Sequence, residues 1–413
     1  MEELRIGLRL FEGYDLLLVG IGLGLLLTAF GKPLLDRLNL NTTFVYLALG
    51  LLAGPLLLDL APGDPLDAMP VLERLAELGV IISLMVIGIR IGRPLSWNAW
   101  RSTARLILLV MPLTIAAVAL SGHLLLGLAL GPALLLGAVL APTDPILAGP
   151  LEEHELADEA EHRFGLSSES GLNDGFAFPF VYLGLYLTWN AGQWQEWILF
   201  WAIRDLFYAI ALALPAGLVL GRLTGRLYLQ LLPRSGKRWR HFTPLGLLLA
   251  TYGLVEALGG YGFLAAFTAG LGFRQVMARD WDRLELFADF TESIDELVKV
   301  SVLVALGALL RWDDFAALGW PLLVFALLLI LVIRPTLTLL ATASGAFNHS
   351  DRLYWAWFGL RGIGSIYYLG YAINHGLDDD LARTLFVATA AVILVSSILH
   401  GLSVRPYQRR HQE

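Results

Sequence analysis

The chain has 413 residues, 57% hydrophobic and 16% charged, with a mean hydropathy of +0.66 and a formal charge of -7. Soluble domains carry about 25% charge and roughly 45–50% apolar residues, so a single water-soluble core is excluded and lipid is the solvent this composition fits. No cysteine is present, which removes disulfides, thiolate metal sites and cysteine nucleophiles.

The N-terminal stretch MEELRIGLRLFEGYD carries acids and lacks a basic flank and a small-residue cleavage site, so the first apolar run reads as a retained helix and not a signal peptide. A helix needs about 20 mainly apolar residues to cross the hydrocarbon. Thirteen runs qualify or nearly qualify: Leu16–Phe30, Thr43–Leu60, Leu72–Ile91, Arg105–Leu128, Pro132–Pro150, Ser168–Trp189, Trp197–Leu220, His241–Leu258, Tyr261–Phe273, Phe287–Leu310, Leu318–Ala341, Tyr354–Ile373 and Leu381–Val404. The ninth is short and the tenth opens with the polar FADFTESIDE, so twelve spans is the alternative count.

Alternate connections differ in basic residues. One set holds Lys32, Arg37, Arg90, Arg93, Arg101, then Arg222, Arg226, Arg234, Lys237, Arg238, Arg240, then Arg274, Arg279, Arg283, with Arg405, Arg409 and Arg410 in the tail. The opposite connections, such as APGDPLDAMP, TWNAGQWQEW and NHGLDDD, contain almost none. Basic loops face the cytoplasm, which places the N-terminus outside and the C-terminus inside, in a multi-pass protein of the cell (inner) membrane. The acidic EEHELADEAEHR falls on the inner side, either as a device that concentrates cations or as a plain solvated turn.

The basic stretch Arg222–Arg240 divides the chain. The expected plan is all-α: about 13 transmembrane helices, with residues 1–190 as one six-helix repeat, 191–240 as linker helix and basic loop, 241–404 as a second, inverted repeat, and 405–413 as a short tail without a soluble regulatory domain.

Ionisable groups inside a bilayer are costly and each needs a reason. In APTDPILAGP, Pro142 and Pro145 unwind the fifth run around Thr143 and Asp144, which exposes backbone carbonyls that ligate cations; a proline kink capped internally by Asp144 is the alternative. In SSESGLNDGFAFPF, which opens the sixth run, Ser170, Asn173 and Asp174 share one helical face and offer a hydroxyl, an amide oxygen and a carboxylate, the oxygens hard cations prefer. The alternative is an N-terminal capping cluster with Ser168 as cap, which suits Glu169 better than the deeper Asp174. Two arginines lie late in the chain: Arg334 before Pro335, a natural partner for Glu169, and Arg361 among Gly359, Gly362 and Gly364, placed to compensate the negative ends of a broken helix. Either could instead snorkel to a headgroup region. Glu77, Glu256 and the Arg204/Asp205 pair, nearer span ends, read as structural, and Tyr367, Tyr368 and Tyr371 as packing or interface anchors.

TDP in a broken fifth helix, ESGLND in the sixth and GLRG in a late broken helix, in that order and at those depths, resemble the sodium/proton exchanger superfamily and, within it, the electroneutral NhaP-type branch; the resemblance runs from Thr43 to about His400. It implies two broken helices crossing in the core and a homodimer working by an elevator-like movement. It implies that Asp174 is the carboxylate that binds cation or proton, that Thr143 gives its carbonyl and Ser170 its hydroxyl to sodium, and that Asn173 is the polar partner that marks this branch. By the same resemblance Asp144 matches the acid at the helix break, Glu169 and Arg334 a core ion pair, and Arg361 the arginine of the second broken helix.

One carboxylate that holds one cation or one proton, but not both, is enough for exchange. With Asn173 neutral, loading sodium or a proton leaves the same charge, so the expectation is 1:1 electroneutral exchange of sodium (or lithium) for protons, serving pH homeostasis. A potassium/proton antiporter with the same chemistry is the alternative reading. An anion transporter on the same plan would want a net positive midplane, which the carboxylates here oppose. No catalytic constellation such as H-E-x-x-H or G-x-S-x-G occurs, so no enzyme activity, cofactor or nucleic-acid partner is expected.

Overall fold

Apolar runs of this length become helices in lipid because a helix satisfies its backbone N–H and C=O groups within its own segment. A computed structural model describes residues 13–38, 40–55, 64–144, 161–190, 192–231, 242–278, 281–344 and 347–411, and every regular element among them is a helix. In chain order these are α1 Gly13–Leu38, α2 Thr42–Ala53, α3 Pro65–Arg90, α4 Arg101–Leu126, α5 Leu130–Leu140, α6 Glu161–Trp189 and α7 Trp194–Leu231. There follow α8 Phe242–Ala257, α9 Gly262–Met277, α10 Trp281–Ala308, α11 Trp312–Ala341, α12 His349–Trp357, α13 Ile363–Asn374 and α14 Asp379–His411. Each expected apolar run overlaps one of these helices, the twelfth the α12 and α13 pair; residues 56–60 of the second run and 145–150 of the fifth lie outside the described residues. By length and composition α4, α7, α11 and the Asp379–Ser403 part of α14 are each long and apolar enough to cross a membrane.

The chain forms two compact units, and they are not its two halves. One comprises Met1–Glu77, Glu296–Ile330 and Leu360–Glu413; the other comprises Leu78–Asp295 and Leu331–Gly359.

In the first unit, α14 packs against α2, the first part of α11 and α13, and α1 packs against α2. Several of its polar groups pair within the unit: the Tyr46 hydroxyl donates to Glu296 and lies 2.5 Å from the Thr28 hydroxyl, and Asn374 donates to Glu73. At the edge, Arg383 donates to Asp64 at 2.7 Å. That bond and the Leu66 N–H hold the Asp64 carboxyl below its ordinary range. A lowered carboxyl pKa stabilises the fold above the unfolded value, about 4, and the contribution disappears as pH falls through the folded value. The pair is partly exposed, so Asp64→Asn is expected to cost at most about 1 kcal/mol at neutral pH and to flatten the acid limb of a thermal-stability profile.

In the second unit, α9 is the hub. It packs along α7 and against α6 and α8, while α5 packs between α4 and α6. Close approach here depends on missing side chains. A Cβ on Gly88 of α3 would lie 2.2 Å from the Phe267 carbonyl of α9, and one on Gly270 would lie 2.5 Å from the Met85 carbonyl. Backbone on both sides cannot yield cheaply. Gly88→Val is expected to cost about 1–3 kcal/mol, read as a lowered melting temperature in detergent.

Two boundaries differ from expectation. The polar FADFTESIDE does not open α10, which already includes Trp281, and its acids find partners there: Arg90 donates to Glu292 at 2.5 Å, and Ser83 donates to Asp295 at 3.4 Å. The ESGLND segment does not open its helix either, since α6 begins at Glu161.

Candidate functional site

The second unit collects most of the expected site residues. Helix α5 ends at Leu140, and Pro142, Thr143 and Asp144 follow in non-helical backbone; Pro145 and the acidic stretch to residue 160 lie outside the described residues, as do Arg234, Lys237, Arg238 and Arg240. Facing this break is α6. Because α6 starts seven residues before Ser168, that serine is no N-cap. Its hydroxyl donates to the Phe164 carbonyl at 2.6 Å and meets Thr103 at 2.6 Å. Glu169 to Asp174 therefore lie two turns inside a helix, where a capping role is not available.

Asn173 and Thr143 meet. The Asn173 amide donates to the Thr143 hydroxyl at 2.8 Å and more weakly to its carbonyl at 3.4 Å. The other amide atom, Oδ1, is buried and has no hydrogen-bond partner among the described residues. Asp174 is 6% exposed, and Asp144 stands within electrostatic reach of it. Ser170 is fully buried, and its hydroxyl proton goes to the Leu166 carbonyl at 3.0 Å, which leaves the oxygen lone pairs for another group. Helix α9 closes this side: a Cβ on Gly175 would fall 2.2 Å from Leu264 Cγ, so only glycine lets α9 come so near the carboxylate's turn.

One turn earlier on α6, Glu169 is paired. Arg334 donates from Nη1 to Oε1 at 2.5 Å and from Nη2 to Oε2 at 2.6 Å, with both side chains almost fully buried. Helix α11 presents Arg334 just after a π-helical turn, Leu329–Ile333, and just before Pro335. The wider turn makes room for a proline ring that would clash with the carbonyl four residues back. Arg334 also donates to the Trp355 carbonyl at 3.3 Å, and Gly359 lies against both Arg334 and Thr143.

Arg361 belongs to the other compact unit. It is buried in the non-helical stretch between α12 and α13, and its backbone N–H donates to Ser396 Oγ at 3.2 Å.

Several neighbours carry no signal in their local sequence. The Trp355 indole donates to the His162 carbonyl at 2.8 Å, and His162 Nδ1 lies 3.4 Å from Asp351. Arg93 and Ser102 both donate to Glu161, at 2.5 and 2.7 Å, which fixes the first turn of the carboxylate-bearing helix. Among the residues read as structural, Arg204 pairs with the buried Asp205 at 2.5 Å, and Glu256 accepts the Gly262 N–H at 2.8 Å.

Among the described residues no group of three or more His, Asp or Glu is arranged to hold a metal ion. The oxygens gathered here are instead one buried carboxylate with Asp144 nearby, an unengaged amide oxygen, hydroxyls and unwound backbone carbonyls. Such a set suits a weakly held monovalent cation and, at the carboxylate, a proton.

Comparison with known proteins points the same way. A family model described as sodium/hydrogen exchanger, transmembrane, matches residues 24–410. A Na+/H+ antiporter of Methanocaldococcus jannaschii is 26% identical over 92% of this chain and 92% of its own length. A K+/H+ antiporter, NhaP, of Alkalimonas amylolytica is 24% identical over 96% of this chain and 67% of its own. A probable Na+/H+ antiporter of Schizosaccharomyces pombe is 26% identical over 80% of this chain, which spans only 45% of that relative. The solved structure of the Methanocaldococcus jannaschii sodium proton antiporter MjNhaP1 at pH 8 superposes with a TM-score of 0.74, covering 94% of this chain and 98% of that one at 21% identity, a likeness of fold.

Proposed function

The chain belongs to the sodium/hydrogen exchanger family, and from that membership and the site geometry we propose that it exchanges sodium, or lithium, for protons across a cell membrane at a single carboxylate, Asp174. The observation that carries the reading is the placement of that buried carboxylate next to Asn173, whose amide is tied to the unwound Thr143 and whose Oδ1 is left unengaged among the described residues. Cation and proton compete for Asp174. The Thr143 carbonyl, the Ser170 and Thr143 hydroxyls and Asn173 Oδ1 complete the cation's shell, Asp144 biases the site toward positive charge, and the Glu169–Arg334 pair holds α6 in register. Arg361 compensates charge in its own non-helical segment. The remaining elements of the reading are two inverted six-helix repeats about a linker helix, an N-terminus outside and a C-terminus inside, and a homodimer whose cores move as elevators.

Binding either one sodium or one proton changes the site's charge equally, so exchange is expected at 1:1 and without net charge movement. Reconstituted protein should acidify or alkalinise vesicles in response to a sodium gradient at a rate that a valinomycin-clamped potential does not change. Lowering pH should raise the half-saturating sodium concentration, because protons then occupy more of the carboxylate. Strong dependence on potential would refute the 1:1 stoichiometry, and a folded, inserted protein that moves no protons with sodium, lithium or potassium would refute exchange altogether. Relatives named for potassium exchange make potassium/proton antiport the second reading, and the same cation panel decides between them.

A further inference from the structure

Serines and threonines inside the helices of this chain mostly turn their hydroxyls back on their own backbone. Ser168, Ser170, Thr268, Thr291, Ser293 and Ser301 each donate to the carbonyl four residues earlier, the ordinary solution for a hydroxyl in an apolar helix. Ser396 of α14 does otherwise. Its Oγ accepts the backbone N–H of Arg361 at 3.2 Å and lies 3.0 Å from Nδ1 of His400. Ser396, His400 and Arg361 are each at most 1% exposed, and all three belong to one compact unit.

The need for this arrangement starts at Arg361. Its segment lies between α12 and α13 and is not helical, so its N–H has no carbonyl four residues back to bond. A buried backbone donor without an acceptor is costly, most of all in a membrane. The serine oxygen supplies the acceptor. The serine's own proton then needs a destination, and among the described residues Nδ1 of His400, 3.0 Å away, is the group that can take it. His400 Nδ1 also lies 3.0 Å from the Ser396 carbonyl. Were Nδ1 to carry the hydrogen and donate to that carbonyl, the serine hydroxyl proton would be left without an acceptor at a site with no exposure. The arrangement that satisfies both the Arg361 N–H and the Ser396 hydroxyl is therefore a chain: Arg361 N–H to Ser396 Oγ, and Ser396 O–H to an unprotonated Nδ1, with the imidazole hydrogen on Nε2.

We infer that Ser396 and His400 are positioning residues for exchange, holding the unwound Arg361 segment through a hydrogen-bonded relay from the last helix. The inference rests on the exchange reading for its functional consequence, though the relay itself does not. Because the proposed cation ligands lie on other segments, loosening this one should slow turnover and leave cation affinity nearly unchanged.

Two readouts test it. The first is independent of transport: amide hydrogen exchange of peptides covering residues 358–366 in detergent-solubilised protein. Ser396→Ala should speed exchange there by about tenfold, as expected when a buried donor loses its acceptor, while Ser396→Thr stays near wild type. The second is sodium/proton exchange in proteoliposomes. Ser396→Ala and His400→Leu should lower the maximal rate by about tenfold with half-saturating sodium unchanged. His400→Asn, whose side-chain oxygen can sit where Nδ1 does, should restore the rate. Unchanged amide protection in Ser396→Ala overturns the relay. Equal rate loss in His400→Leu and His400→Asn, or a loss of affinity in place of rate, overturns the positioning role. An inactive wild type with the expected protection pattern would sink the exchange reading and leave the relay standing.

Discussion

Asp174→Asn is expected to reduce cation-driven proton movement to the background of empty vesicles while leaving the protein folded. Asparagine keeps the size and one oxygen of aspartate but can neither take up a proton nor balance a cation's charge. The bond from Asn173 to the helix break survives, because that amide bonds Thr143 and not Asp174. The substitution therefore removes the exchangeable charge and keeps the Asn173–Thr143 bond. The controls are size-exclusion behaviour and melting temperature in detergent, both expected near wild type. A variant that still exchanges would move the carrier role to another carboxylate, with Asp144 the first to try.

The second large effect is on stability. Glu169→Ala or Arg334→Ala is expected to destabilise the protein by about 3–5 kcal/mol, because each strands its partner's charge in a buried, water-poor setting. Arg334 places two hydrogen bonds on Glu169, and the pair is almost fully enclosed. The two single variants should show low yield of monodisperse protein and steep losses in melting temperature. The double replacement Glu169→Leu with Arg334→Met removes both charges together and should recover most of that loss, since a desolvated ion pair is often no better than apolar packing of similar volume. A recovered fold with impaired exchange would assign the pair a role in the movement of α6. Single variants as stable as wild type would contradict the assignment of these groups as a buried pair.

Much of this was readable in the sequence because lipid makes exceptions conspicuous. A proline pair in an apolar run, a carboxylate two turns into a helix and an arginine beside a proline each violate a costly rule. Arg334 and Glu169 are readable as partners from residue type alone although 165 positions separate them. What could not be read is equally physical. Glu161, at the described start of α6, is held by Arg93 and Ser102, which reach it from elsewhere in the chain. Trp355, Gly359 and the His162–Asp351 pair touch the site through tertiary contacts that leave no periodicity. The π-helical turn before Arg334 has only Pro335 as a local cue. The two compact units interleave along the chain, whereas sequence order invites division at the basic loop.

The central claim is that one carboxylate holds either a cation or a proton. The most direct test is proton release from purified protein in weakly buffered detergent solution on addition of sodium, with choline as the control salt. The account predicts a stoichiometric proton pulse with sodium, smaller at higher pH where the carboxylate has already lost its proton, and no pulse from Asp174→Asn. Equal release from wild type and Asp174→Asn, or sodium binding by wild type with no proton released at any pH, would contradict it.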